Sequence, residues 1–216
     1  MDYFFYFSIW GFRTAYRLFY HWETYGLNDR SYPGAAIIAP NHASFLDPPL
    51  IAATFWPEET HFLARASLFN SWYMKWILEH LHSHPVTGSV HDIKTMRLVC
   101  ELLKENKKVV IFPEGIRSED GQLQSVKSGM SMLALRMNCP IIPVYIYGTY
   151  EAWPRHSKWP KGGSKIACVF GKPIYSESYA GLNKKQAQEE LTKQVQLSIE
   201  KLKEWYQAGA KGDVPS

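Results

Sequence analysis

The chain has 216 residues, of which 46% are hydrophobic and 20% are charged, and this length favours one domain with a sizeable core. Its three cysteines show no CxxC spacing, which argues against a metal or redox role for them. The net charge of +4 coincides with residues 151–172, where five basic side chains accompany one acidic side chain. No recognised nucleic-acid-binding motif accompanies this charge, so we expect no nucleic-acid partner. Trp153 and Trp159 favour contact with a membrane surface, and a solvated basic loop is the alternative.

The N-terminal residues 3–22 are rich in aromatic side chains and predict a helix. Arg13, Arg17 and His21 are spaced at i, i+4 and i+8, so they share one helical face. The uncharged run ends at residue 12 and is too short for a spanning helix, which needs about 20 residues. We therefore expect residues 1–28 to form an aromatic amphipathic helix that associates with the membrane by lying among the headgroups. A helix packed on the protein core and a short tilted span are the alternatives.

The rest of the chain alternates between short apolar runs typical of strands and longer helical patterns. Strands are predicted at residues 35–39, 61–64, 109–112, 141–147 and 165–170. Helices are predicted at residues 48–55, 92–105, 129–138 and from the capping residue Asn183 to about 207. This alternation predicts a single α/β domain over residues 29–207, with a central mixed, partly parallel sheet flanked by helices. Residues 208–216 are expected to form a disordered tail.

The first motif that carries chemistry is residues 41–47, Asn-His-Ala-Ser-Phe-Leu-Asp, directly after a predicted strand. In a regular helix two residues five apart point about 140° away from each other, so His42 and Asp47 can meet only in a turn. Pro48 favours such a turn, because it disfavours helical geometry at the preceding residue. A paired His42 would suit general base catalysis, and Asp47 could also cap the next helix with its second oxygen. The alternative is a simple capping aspartate beside an ordinary turn histidine.

The second motif is residues 112–118, Phe-Pro-Glu-Gly-Ile-Arg-Ser, at the end of an apolar strand. Glu114 and Gly115 predict a sharp turn that lets backbone N–H groups approach a ligand, and Arg117 offers a fork suited to phosphate. Lys127 lies just before a predicted helix, and Arg65 ends a strand-like run. Each of these cations alone is typical of a surface charge. Their grouping at strand ends favours an anion-binding site.

These motifs occur in the order typical of glycerolipid acyltransferases, and residues 30–175 resemble the bacterial-type 1-acyl-sn-glycerol-3-phosphate acyltransferases. The resemblance implies transfer of a fatty acyl group from an acyl thioester, acyl-CoA or acyl carrier protein, to the sn-2 hydroxyl of lysophosphatidate. The product would be phosphatidate, made in phospholipid biosynthesis on the cytoplasmic face of the membrane without a cofactor or a covalent enzyme intermediate. It also implies a catalytic pair, His42 and Asp47. The implied substrate-binding residues are Arg65, Glu114, Gly115, Arg117, Ser118 and Lys127.

Other acceptors and other classes of protein remain open at this point. Glycerol 3-phosphate or another lysophospholipid could replace lysophosphatidate, and a thioesterase would use the same base to activate water. A non-catalytic membrane lipid-binding protein of the same fold is a further alternative. Residues 84–89 read His-Pro-Val-Thr-Gly-Ser, where members of this family often carry an arginine, so the acceptor site lacks one expected cation.

A group of histidines around residues 80–91 raises the question of a metal site. His80, His82, His84 and His91 have no carboxylate or cysteine partner at a ligand spacing in the sequence. The expected chemistry also needs no metal. We therefore predict no metal site from the sequence.

Overall fold

The computed structural model describes residues 3–26, 34–86 and 92–215. Within these ranges one seven-stranded sheet runs in the order β1-β7-β6-β2-β5-β3-β4. Its strands are β1 His21–Tyr25, β2 Ala36–Pro40, β3 Thr60–Arg65, β4 Ser83–Val86, β5 Lys108–Val110, β6 Ile141–Tyr147 and β7 Lys165–Phe170. Neighbouring strands are parallel except for the antiparallel pair β6–β7. The mixed, partly parallel sheet that the sequence predicts is therefore confirmed.

Helices cover both faces of the sheet and form two hydrophobic layers. They are α1 Tyr3–Phe19, α2 Asp47–Phe55, α3 Trp72–His80, α4 Ile93–Lys104, α5 Gly129–Met137, α6 Thr149–Ala152 and α7 Lys184–Gln207. The side chains of β2 alternate between the layers, because successive residues of a strand point to opposite faces. Ile37 packs with α4, α5 and α7, whereas Ile38 packs with α1 and α2. The strand that leads into the first motif is thus buried on both sides.

Four helices and strands were not predicted from the sequence, namely α3, β4, the short helix α6 and, in part, β1. Helix α1 ends at Phe19, and residues 21–25, of which the first two were expected to be helical, form an edge strand parallel to β7. Helix α3 leaves none of its side chains fully buried, so the chain there lacks the periodic apolar stripe that reveals a helix. Strand β4 has four residues and includes Pro85, which also weakens the strand pattern.

Helix α1 packs against the α/β domain through one face and leaves the other face exposed. Phe5, Ile9 and Tyr16 are buried among residues of α2 and the sheet. The Arg13 guanidinium donates to the carbonyl oxygen of Ala53 and lies near aromatic rings, so it does not point to solvent as the expected headgroup-facing residue would. Among the residues described, no helix combines the length and the apolar character that crossing a membrane requires.

The C-terminal helix begins as the sequence predicts. The Asn183 side chain accepts a hydrogen bond from the Gln186 N–H at 3.0 Å and so caps α7. Residues 208–215 differ from the expected disordered tail, because the Trp205 indole donates to the Lys211 carbonyl at 3.0 Å. Val214 also packs against the core, so the end of the helix offers the tail an apolar partner.

Candidate active site

His42 and Asp47 meet in the loop between β2 and α2. The His42 Nδ1 lies 2.8 Å from the Asp47 Oδ2, and the Asp47 side chain is fully buried while the ring is 17% exposed. The same oxygen accepts hydrogen bonds from the backbone N–H groups of Ala43, at 2.7 Å, and Ser44, at 2.8 Å. The pairing predicted from the spacing is therefore present in a turn that the carboxylate itself holds together.

The role of Asp47 at the helix start differs from the prediction. Asp47 is the first residue of α2 and makes no side-chain capping bond; its bonded oxygen faces back to the loop. Ser44 is also buried, and its hydroxyl donates to the Trp153 carbonyl at 2.9 Å and accepts from the Leu46 N–H. This hydroxyl is committed to the loop, so it is not available as a nucleophile.

The imidazole of His42 is fixed in orientation on its other sides as well. Its ring stacks on the Phe112 ring with 3.9 Å between centroids. Because a carboxylate can only accept, the Nδ1 atom carries the proton and the Nε2 lone pair is left for a ligand. Asn41 holds the end of β2, since its side chain exchanges hydrogen bonds with the backbone of Ile146 in β6. The imidazole is thereby held at the carboxyl edge of the sheet.

Glu114 and Ser118 lie beside the His42–Asp47 pair and connect two loops. They do not line the cavity that contains His42. One Glu114 oxygen accepts from the His42 N–H at 3.4 Å and the other from the Gln124 N–H at 3.4 Å. Burial raises the pKa of Glu114 to about 7. The Ser118 N–H donates to the His42 carbonyl at 2.8 Å, and its hydroxyl donates to Asp120. Both residues were predicted to bind substrate, and the structure places them as supports of the dyad loop.

Gly115 forms the sharp turn expected after the strand. Its φ of +78° is in the left-handed region, and a Cβ at this position would lie 2.8 Å from the Lys127 Nζ. Glycine therefore allows the lysine to reach over the turn. Gly115 and Lys127 both line the same cavity as His42, and their binding of substrate stays a prediction.

Four cationic side chains line the same cavity: Arg65, Arg117, Lys127 and Arg155. The Arg117 guanidinium lies 3.5 Å from the centroid of the Phe45 ring, and its buried Nη1 has no hydrogen-bond partner among the described residues. Burial, together with the neighbouring Arg155 and Arg65, lowers the pKa of Arg117. Cations crowded in this way repel one another, and an anionic ligand would relieve the repulsion.

Arg155 is a site residue that the sequence analysis missed. It was counted only as part of the basic segment 151–172, far along the chain from both motifs. In the structure its Nη1 donates to the Arg117 carbonyl at 3.3 Å and pairs with Glu119 at 3.2 Å. Arg155 thus adds a cation to a site that was expected to lack one from the sequence of residues 84–89, of which 87–89 lie outside the described residues. The excess of positive charge in residues 151–172 was the only sequence signal for this residue. Nothing in the spacing of the motifs indicated that this segment lies next to them.

The cavity has a volume of about 980 Å³ and joins the polar groups to an apolar region. His42 and the four cations are among its lining residues. Its apolar lining includes Phe12 of α1, Phe62 of β3, Leu78 of α3, Leu81 just after α3 and Met130 of α5. The space therefore suits a ligand with a charged anionic head and a long apolar chain.

The geometry is explained by the topology of the sheet. The first motif follows β2, the second follows β5, Arg65 ends β3, and Arg155 comes after β6 and α6. These four strands are mutually parallel, so their carboxyl ends meet at one edge, which is where open α/β sheets bind ligands.

Comparison with known proteins shows the family of the chain. The model of the family described as Acyltransferase matches residues 22–147, and the chain belongs to this family. A solved structure, the 1-acyl-sn-glycerophosphate acyltransferase PlsC from Thermotoga maritima, superposes with a TM-score of 0.73 at 25% identity. The match covers 91% of this chain and 78% of that one.

Two curated relatives are 1-acyl-sn-glycerol-3-phosphate acyltransferases. The 1-acyl-sn-glycerol-3-phosphate acyltransferase of Bacillus subtilis is 26% identical over 77% of this chain and 80% of its own length. The chloroplastic 1-acyl-sn-glycerol-3-phosphate acyltransferase BAT2 of Brassica napus is 26% identical over 73% of this chain. The chain spans only 46% of the length of this plant relative.

Proposed function

We propose that the protein transfers a fatty acyl group from an acyl thioester to the sn-2 hydroxyl of lysophosphatidate, which yields phosphatidate for phospholipid biosynthesis. Its relatives are named as acyltransferases of 1-acyl-sn-glycerol-3-phosphate, which supports this acceptor. Either acyl-CoA or acyl carrier protein could serve as the donor, because the reacting bond is the same thioester. No cofactor takes part in the proposed reaction.

One observation carries the proposal: a base, a cluster of cations and an apolar region share one cavity. The reaction needs a base for the acceptor hydroxyl, positive charge for its phosphate and an apolar surface for acyl chains. His42 supplies the base, and Arg65, Arg117, Lys127 and Arg155 supply the charge. A binding protein would need the charge and the apolar surface, but it would gain nothing from a buried carboxylate that orients a histidine.

The chemistry follows from the hydrogen bonds of His42. The Nε2 lone pair removes the proton of the acceptor hydroxyl as that oxygen attacks the thioester carbonyl carbon. The Asp47 carboxylate, 2.8 Å from Nδ1, stabilises the imidazolium that forms. The carbon–sulfur bond then breaks, and the imidazolium returns the proton to the leaving sulfur. The acyl group passes directly from sulfur to oxygen, so no acyl-enzyme is expected.

Membrane association is part of the proposal, because both the acceptor and the product are lipids. Tyr3, Phe7 and Trp10 of α1 are exposed, as are Trp72 and Trp76 of α3. The two helices touch through Phe4 and Trp76, whose ring centroids are 4.6 Å apart. We call Tyr3, Phe7, Trp10, Trp72 and Trp76 the aromatic patch. A surface rich in tryptophan and tyrosine suits the membrane–water interface, here on the cytoplasmic side where thioester donors occur.

The test of the proposed function is the fate of a labelled acyl group. The protein is mixed with a labelled donor, acyl-CoA in one series and acyl carrier protein thioester in another. Within each series, separate reactions contain lysophosphatidate, glycerol 3-phosphate, lysophosphatidylcholine or no acceptor. We expect labelled phosphatidate as the main product. Label found mainly on another acceptor would overturn the choice of lysophosphatidate. Free fatty acid in every reaction would indicate a thioesterase, and an unchanged thioester with both donors would indicate a non-catalytic lipid-binding protein.

A further inference from the structure

Three side chains that could ligate a metal ion lie close together at the amino ends of the strands, opposite to His42 and Asp47. Glu59 lies just before β3, His61 lies in β3 and His82 lies just before β4, and one ligand atom from each is within 4.8 Å of the others. His61 is in register with Val109 and, through it, with Ile37 of β2. His42 lies five residues beyond Ile37, or about 16 Å along the strand direction at about 3.3 Å per residue. The group is therefore separate from the reacting centre.

His61 is the side chain that points most clearly to a ligand. The residue is only 7% exposed, and its Nε2 has no hydrogen-bond partner among the described residues. A buried polar atom without a partner costs free energy, so it calls for an explanation. Burial, together with the nearby His82 and His84, lowers the pKa of His61 to about 3.

The second nitrogen of His61 already has the partner that a metal ligand needs. Its Nδ1 lies 3.1 Å from the His84 Nε2. If His61 carries its proton on Nδ1 and donates it to His84, the Nε2 lone pair is aimed away from His84 and free to bind. Ligating histidines usually donate their other N–H in this way, which sets their orientation.

His82 is held next to His61 by stacking and by the backbone. The His61 and His82 rings stack with 4.9 Å between centroids, and Phe5 stacks on His82 at 4.4 Å. The backbone carbonyl of His82 accepts from the Phe62 N–H at 2.9 Å, which ties the turn to β3. His82 also has a φ of +52°, an uncommon conformation for a residue with a side chain. The turn is thus specifically shaped to place this imidazole beside His61.

We infer that Glu59, His61 and His82 form a binding site for a divalent transition-metal ion of the zinc type. Two imidazoles and one carboxylate are a donor set typical of zinc, with water as the fourth ligand. Zinc–ligand bonds of about 2.0–2.2 Å require donor atoms about 3.4 Å apart in a tetrahedron, so the three donors must close in slightly. Glu59 is on a loop and can move. Because the site lies far from His42, its expected effect is to stabilise the junction of β3 and β4.

Metal binding at this site must compete with an ion pair that Glu59 already makes. The Lys107 Nζ lies 3.3 Å from the Glu59 Oε2 and is partly exposed. A metal ion would take over this carboxylate, and the lysine would turn to solvent. Lys107 therefore opposes metal binding in two ways. Its positive charge repels the metal ion, and its ion pair occupies the Glu59 carboxylate.

The test uses the metal-free full chain and follows binding of Zn²⁺ by calorimetry and of Co²⁺ by its visible absorption. We expect one ion per chain, the strong absorption typical of tetrahedral Co²⁺, and a higher melting temperature in the presence of Zn²⁺. Glu59→Gln and His82→Gln should each weaken binding by at least the about 10–100-fold that loss of an outer-shell partner costs. His156→Gln, at an exposed histidine outside the group, is the matched control and should bind normally.

A fourth variant keeps the inference testable if His82→Gln folds poorly. Lys107→Gln removes the competing charge and frees the carboxylate, so it should bind Zn²⁺ more tightly than the natural chain. Absence of stoichiometric binding by the natural chain would overturn the inference. Equal affinity in Glu59→Gln and the natural chain, or weaker binding in Lys107→Gln, would also overturn it, because either result places the ion elsewhere.

Discussion

Asp47 shows how much a single side chain contributes at the site. One of its oxygens accepts from the His42 ring and from two backbone N–H groups of the same loop. The carboxylate therefore fixes the backbone turn and the tautomer of the base together. This double role explains why a spacing that would separate the two residues in a helix brings them together here.

Asp47→Asn should keep the fold and lose much of the rate. The asparagine oxygen can take the place of the Asp47 Oδ2 and still accept from the His42 ring and from the loop N–H groups. The amide carries no charge, however, so it cannot stabilise the imidazolium that forms when His42 takes the proton. We expect kcat to fall by about 10²–10⁴-fold, with an unchanged circular dichroism spectrum. A folded Asp47→Asn protein with nearly normal kcat would show that the carboxylate does not act through the histidine.

Arg117 is expected to bind the acceptor phosphate. Arg117→Ala should raise the KM for lysophosphatidate by about 10–150-fold, the equivalent of a charge-assisted hydrogen bond of about 1.5–3 kcal/mol. Arg117→Lys should restore little, because a point charge cannot reproduce a bidentate contact. Arg136→Ala serves as the control, since this basic residue lies in the last turn of α5 and does not line the cavity. An acceptor KM that is unchanged in Arg117→Ala would remove this residue from the phosphate site.

Glu114 should make the stability of the protein depend on pH. Its pKa is raised by burial from an ordinary 4.5 to about 7, so the folded chain binds this proton more tightly than the unfolded chain. The resulting stabilisation is fully present below pH 4.5 and is lost as the pH rises through 7. The shift corresponds to about 3 kcal/mol.

The comparison that isolates this effect is between the natural chain and Glu114→Gln. Urea unfolding at pH 5 and at pH 7.5 gives the free energy of unfolding of each protein. The natural chain should lose more stability between these pH values than the variant, in which position 114 does not titrate. Other titrating groups, His61 among them, cancel in the difference. Identical pH dependence of the two proteins would mean that Glu114 has an ordinary pKa.

At the scale of elements, α1 has one buried face and one exposed face, so packing on the core and the proposed membrane contact are compatible. One face contributes Phe5, Ile9 and Tyr16 to the core, and the other contributes Phe7 and Trp10 to the aromatic patch. Removing the whole helix would therefore damage the core as well as any membrane contact. Surface substitutions separate the two effects.

The double variant Phe7→Ser, Trp10→Ser should fold normally and bind liposomes poorly. Full burial of a large apolar side chain contributes about 1.5–3 kcal/mol, so losing two should weaken binding at least about tenfold. Ile93→Ser is the control, because Ile93 is equally exposed, at 72%, but lies on α4 and the other face of the sheet. Cosedimentation with liposomes measures the difference. Equal sedimentation of the double variant and the natural chain would exclude the patch as the membrane contact.

The sequence predicts elements well where a local pattern is strong and poorly where tertiary contacts decide. The apolar strands β2, β6 and β7 and the capped helix α7 were predicted because each carries its signal within the segment. Strand β1 was assigned in part to the preceding helix, since its pairing with β7 is a contact across more than 100 residues.

The same division holds for the functional residues. His42 and Asp47 are close in sequence, so their chemistry could be inferred from spacing. Arg155 could not, because only the parallel order of the strands brings the loop after β6 to the loop after β5. The histidine–glutamate group near β3 and β4 was missed for the same reason. No two of its three proposed donors, at positions 59, 61 and 82, make a recognised metal motif in sequence.

On the scale of the whole molecule, the account depends on His42 acting as the general base of an acyl transfer. The most direct test measures phosphatidate formation from acyl-CoA and lysophosphatidate by the natural chain and by His42→Ala. Loss of a positioned base should reduce kcat by at least about 10²–10⁴-fold while the melting temperature and liposome binding stay close to those of the natural chain. A well-folded His42→Ala protein that forms phosphatidate at nearly the natural rate would contradict the account.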